Sequence, residues 1–205
     1  HDLHDGQKDY IETIDKLYGK SETLDEFCKK AQLINYDSHR TMFESWNSRL
    51  WNNTSGILLW MTHPAWPSTV WQVYSSDYET FGAYFGSKKA CEAIHIQMNP
   101  DNEVVIVNTS LRLIKSSKAT LQIFGLDGKM IQKKDIKTDI PANQLIECNL
   151  LNLPENLPPL YMVRLKIEDQ NNKLISLNEY WKSTKTDGFN EFNSLKPSKL
   201  ITKVT

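Results

Sequence analysis

Residues 55–74 read SGILLWMTHPAWPSTVWQVY. A short apolar run over 56–61 leads into a segment holding three of the chain's six tryptophans, Trp60, Trp66 and Trp71, with His63 among them and Pro64 and Pro67 stiffening the backbone. The run is too short for an ordinary helix and shows no polar alternation. It predicts, over 56–60, a short strand buried on both faces, the kind found in parallel sheets.

Toward the N-terminus the periodicity is helical. In residues 8–18, KDYIETIDKLY, the side chains Tyr10, Ile11, Ile14, Leu17 and Tyr18 fall at helical spacing, and Gly19 follows as a stop signal. Thr23 with Glu26 three residues later has the form of a capping box. From Leu24, the positions Phe27, Cys28, Ala31, Ile34, Met42, Phe43, Trp46 and Leu50 return to one side. They predict one helix to about residue 50, well beyond the mean of about 11 to 12 residues. NNTSG at 52–56 breaks it, and TFGAYFGSKKACEA at 80–93 predicts a further helix after the aromatic segment. Helix, buried strand, loop and helix in this order form the end of an α/β pattern.

Beyond residue 93 the pattern changes. AIHIQM, EVVIVN, ATLQIFGL, KMIQKKDI, QLIECNL, LYMVRLKIED and KLISLNEYW are seven short runs, most of them rich in β-branched residues, separated by turn signals such as Asp127-Gly128. They predict an immunoglobulin-like sandwich over 93–183. The polar remainder, 184–205, reads as a linker or the start of a further β domain.

Composition excludes several classes. The 205 residues carry a net charge of −1, with 40% hydrophobic and 24% charged side chains, so neither a nucleic-acid partner nor disorder along the whole length is expected. No apolar stretch approaches the roughly 20 residues of a membrane span. Cys28, Cys91 and Cys148 lie far apart in apolar patterns and read as buried free thiols. HDLHD at 1–5 pairs two His with two Asp, but the His are three apart at a chain end, so neither a metal nor a cofactor is expected. Asn52-Asn53-Thr54 is a formal glycosylation sequon, meaningful only in a secretory eukaryotic protein.

One set of blocks goes further: LDEFCKKAQLINYDSHRTMFESWNS, then WM-x-x-x-AWPS-x-x-W-Q, AYFG-x-KKACE, HIQ and NEYWKS, in that order. Together they resemble the C-terminal end of the catalytic barrel and the following sandwich of glycoside hydrolase family 2, with its exo-β-glucosaminidases and β-mannosidases nearest and its β-galactosidase-like members in the same family. The resemblance implies an α+β chain in which 1–92 is the last strand and helices of a (β/α)8 barrel and 93–183 the sandwich. It implies retaining hydrolysis by two Glu about 5 to 5.5 Å apart, at the ends of the fourth and seventh barrel strands. Since only the eighth strand falls here, both are expected upstream, and this chain is expected to be inactive alone.

The resemblance also implies site residues. Trp60, at the end of the eighth strand, becomes a stacking platform for a terminal sugar. His63 and Trp66 become candidates for the same β-glycoside subsite, and a non-proline cis peptide is implied at Trp60-Met61. Trp71 and Gln72 read as structural, and His95 as a structural or surface residue of the sandwich. The implied partners are the carbohydrate substrate and the upstream domains of a parent enzyme. A periplasmic or secreted location fits glycan digestion, although no signal segment is visible. The alternative is a non-catalytic module that binds carbohydrate or packs on partner domains.

Overall fold

A computed structural model describes residues 6–67, 72–149, 152–186, 188–196 and 202. HDLHD at 1–5, Trp71 and, near the C-terminus, residues 187, 197–201 and 203–205 lie outside them. The elements are α1 (Gly6–Tyr18), α2 (Leu24–Asn47), α3 (Gly82–Ala90), β1 (Ile94–Met98), β2 (Val104–Asn108), β3 (Ile114–Gly125), β4 (Met130–Ile140), β5 (Gln144–Cys148), β6 (Leu160–Glu168), β7 (Leu174–Ser183) and a 3-10 helix, Asn190–Ser194. The chain is an α+β assembly with antiparallel sheets.

Local chemistry accounts for the helix ends. Gly19 closes α1 at φ +77, a conformation costly for a residue with a Cβ. Thr23 is extended, and its hydroxyl accepts the Glu26 N–H at 3.2 Å. The Glu26 carboxylate reaches one residue past the cap, accepting the Glu22 N–H at 3.0 Å. Helix α3 then packs backbone to backbone on α2. A Cβ on Gly82 would lie 2.2 Å from the Gln32 carbonyl oxygen, and one on Gly86 2.2 Å from that of Tyr36.

Among the described residues, seven strands form two sheets, in the orders β1-β2-β5 and β4-β3-β6-β7, with every pairing between them antiparallel. Their facing sides share one core, including Ile96, Ile106, Leu121, Ile123, Val163, Leu165 and Ile167. Each such side chain contributes about 1.5 to 3 kcal/mol by leaving water. On β1 the other face is buried as well, because α2 covers His95 and Gln97.

Two expectations are corrected. No strand forms over 56–60; the segment is irregular and Leu58 is 99% exposed. A strand of that kind is stable only between neighbours that take up its edges and both faces, and no other strand lies beside it among the described residues. Cys28 and Cys91 are exposed, and only Cys148 is buried. Cys28 shares this exposure with Trp46 of the same apolar stripe, while the buried residues of α2 are Lys30, Arg40 and Glu44. The most deeply buried positions of the helix are thus polar, and Phe27, Ala31, Ile34, Met42 and Phe43 of the apolar stripe are half-buried. Within 184–205, the described residues make contacts with α1 and β7. Phe189 N–H donates to the Leu17 carbonyl at 2.7 Å, Phe189 stacks on Tyr18 at 5.2 Å, and Phe192 meets Trp181 edge-on at 4.9 Å.

Candidate functional site

The aromatic loop is built on one carbonyl. Thr62 O accepts the N–H groups of both Val73 and Tyr74 at 3.0 Å, tying the stretch after Trp60 to the start of a hairpin. That hairpin closes through a Tyr74–Thr80 bridge, the Ser75 N–H to Glu79 O bond at 3.0 Å and the Tyr78 N–H to Ser75 O bond at 3.0 Å. The Ser75 hydroxyl also bonds the Asp77 carboxylate and holds it below the usual carboxylate range.

Three sequence candidates sit on this frame. Trp60 is 81% and Trp66 71% exposed, and His63 is exposed too, while Pro64 between them is buried and anchors the loop. The Trp60-Met61 peptide is cis, as the resemblance implied. His63 meets a residue the sequence reading did not single out. Its ring lies 5.1 Å from that of Tyr78, tilted by 34°. A lone aromatic at the tip of the polar turn SSDYET was the available signal. Gln72 is buried, in keeping with a structural role. Among the described residues, no three His, Cys, Asp or Glu side chains converge in a metal-binding arrangement.

A second polar constellation lies between the helices and the sandwich. The Glu44 Oε1 atom accepts from His95 Nε2 at 2.9 Å, Asn178 Nδ2 at 2.7 Å and the Tyr180 hydroxyl at 2.9 Å. His95 Nδ1 faces Glu92 Oε2 at 3.1 Å. With a carboxylate at each ring nitrogen, only the doubly protonated imidazolium satisfies both. Burial works against that charge, but the bonds and charges of Glu44 and Glu92 outweigh it and raise the His95 pKa. Glu92 likewise overcomes its own desolvation through bonds from His95, Lys89 and Ser176, which bring it to about 2. Beside this group Arg40 lies over the Tyr180 ring at 4.3 Å and donates to the Glu179 carbonyl at 2.6 Å.

This cluster is a clamp. Glu44 and His95 are 3% and 1% exposed, and the imidazole fills the space between the two carboxylates, where a glycosidase would need room for substrate. Sequence reading missed Glu44 because its partners come from β1 and β7, and Asn178 is 134 positions away.

No protein-family model matches the chain. Relatives are nonetheless clear. The chain is 33% identical over 186 residues to the exo-β-D-glucosaminidase of Amycolatopsis orientalis, an alignment covering 87% of this chain and 18% of that protein. It is 31% identical over 170 residues to the mannosylglycoprotein endo-β-mannosidase of Lilium longiflorum, covering 80% and 18%. Among solved structures, the exo-chitosanase CsxA of A. orientalis superposes with a TM-score of 0.81 at 29% identity, over 86% of this chain and 22% of that one. The β-D-mannosidase of Dictyoglomus thermophilum gives 0.78 at 25% identity, over 88% and 22%. The chain spans about a fifth of the length of the curated relatives it matches. Its relatives are enzymes that cleave β-glycosidic bonds. The chain belongs to glycoside hydrolase family 2, with the exo-β-glucosaminidases and β-mannosidases.

Proposed function

We propose that this chain is the C-terminal part of a retaining, exo-acting β-glycosidase that removes terminal β-linked sugars from glycans. Residues 1–92 close its (β/α)8 barrel, and residues 93–183 are the immunoglobulin-like sandwich behind it. The observation that carries the activity is the 33% identity to an exo-β-D-glucosaminidase over 87% of the chain. The seven antiparallel strands, in sheets of three and four, support the sandwich reading.

In this proposal Trp60 offers its exposed indole face to the terminal sugar, and His63 and Trp66 line the same subsite. The two catalytic Glu belong to upstream domains. Those domains cover the side of α2 on which Leu24 and Trp46 are exposed, and give the 56–60 segment the strand neighbours it needs. Glycan digestion places the enzyme in the periplasm or outside the cell.

The test compares this chain with the protein from the full upstream reading frame on a panel of nitrophenyl β-glycosides. Hydrolysis by the longer protein alone is expected, and the panel then identifies the sugar. Turnover by the 205-residue chain itself would overturn the proposal.

A further inference from the structure

The hairpin that follows the tryptophan loop carries an aromatic ring whose place in the fold its own turn does not explain. Tyr78 is 69% exposed, yet its backbone is fixed. Its N–H donates to Ser75 O, and its neighbour Glu79 is held twice, through its carbonyl by the Ser75 N–H and through its N–H by the Ser75 hydroxyl at 3.0 Å. It adopts φ +66, a region that bulky residues rarely enter unless the surroundings enforce it. All these bonds come from backbone and from Ser75. The turn is held without the Tyr78 ring, which instead lies 5.1 Å from His63.

A flat ring held in solvent on a fixed backbone is preorganised for contact, because little freedom remains to be lost on binding. Its position relative to the loop is also bounded. Thr62 O fastens the hairpin to the loop, and His63 is three residues after Trp60, so their Cα atoms are at most about 11 Å apart. The His63–Tyr78 pair is therefore carried, through His63, on the same loop as Trp60, within a few residues of it. Tyr78 itself stands on the separate turn at 75–79, so its ring is a contact additional to those of Trp60 and His63 on the loop.

We propose that Tyr78, paired with His63, binds the second sugar ring of the substrate, the one adjoining the terminal sugar on Trp60. The ring face covers the apolar face of the pyranose, and the phenol supplies a donor and acceptor to its hydroxyls. This rests on the glycosidase reading of the loop, and it makes Tyr78 a determinant of chain-length preference.

The experiment uses the enzyme from the full reading frame and two substrates with the same terminal sugar: its β-linked disaccharide and its glycosyl fluoride, whose leaving group does not reach a second sugar position. Tyr78→Ala is expected to raise KM for the disaccharide by about tenfold, leaving the fluoride and the thermal midpoint unchanged. Tyr78→Leu, which keeps bulk without a flat ring, is expected to follow Ala, and Tyr78→Phe to retain most of the affinity. Equal effects on both substrates, or a lowered midpoint with both impaired, would assign Tyr78 to packing and overturn the inference while the glycosidase reading stands. A wild-type enzyme that hydrolyses neither substrate would overturn that reading and this inference with it.

Discussion

Glu44 shows what one buried carboxylate requires. Three donors from two other elements converge on its Oε1 atom, so removing it strands an imidazolium, an amide and a phenol in a site sealed from water. Truncating one partner of a buried ion pair costs about 3 to 5 kcal/mol, and Glu44→Ala is expected to fall in that range by urea denaturation. Its neighbour sets a pH dependence. The folded pKa of His95 is raised above the unfolded value near 6.5, so its contribution is complete below that pH and is lost as pH rises through the folded value. On the acid side, Glu92 contributes above its unfolded 4.5, and that contribution is lost as pH falls toward about 2. Stability measured against pH is expected to decline on both flanks, and His95→Gln to flatten the alkaline decline. An unchanged alkaline flank in that variant would remove the imidazolium from the account. His95 could be placed on a strand from its alternation with Ile94 and Ile96, but the helix covering it could not.

Between elements, the decisive contact is α3 on α2. Gly82 and Gly86 are four residues apart on one side of α3, and each lies against α2 backbone. For Gly86→Ala two effects compete. Alanine improves helix propensity by about 0.8 to 1 kcal/mol, but its Cβ would fall 2.2 Å from the Tyr36 carbonyl oxygen, and backbone cannot rotate away as a side chain can. The clash should win, at about 1 to 3 kcal/mol net. Calorimetry is expected to show a midpoint lower by roughly 2 to 4 °C per kcal/mol; a midpoint that rises would mean the helices separate freely. Thr23 and Gly19 made the helix ends legible in sequence, since a cap is a local interaction. The apolar spacing that predicted α2 was also real, but it marked a half-buried side, and the deepest positions of the helix are the polar Lys30, Arg40 and Glu44.

Taken whole, the molecule keeps an apolar core between its two sheets and places large apolar side chains, Leu58, Trp60, Trp66 and Tyr78, in solvent on one loop and hairpin. On the proposed reading the three aromatics serve binding and contribute little to folding, while Leu58 is covered by strand neighbours from the upstream domains. Trp60→Ala in the full-length enzyme is expected to lower kcat/KM by tenfold or more, about 1.4 kcal/mol or above, while its melting temperature stays within about a degree. A large loss of stability with kcat/KM intact would instead make Trp60 a packing residue. The sequence by itself determined the helix starts and stops, the seven strand runs, the family, and the loop on which Trp60, His63 and Trp66 are carried. Each of those rests on periodicity, on turn and cap chemistry between residues a few positions apart, or on ordered motifs. Only the tertiary structure decided which side of α2 is inside, that His95 lies between two carboxylates, and that Tyr78 stands beside His63. Burying a charge is favourable only where distant groups complete its hydrogen bonds, and an apolar stripe is buried only where another surface covers it. Neither condition is written in the local pattern.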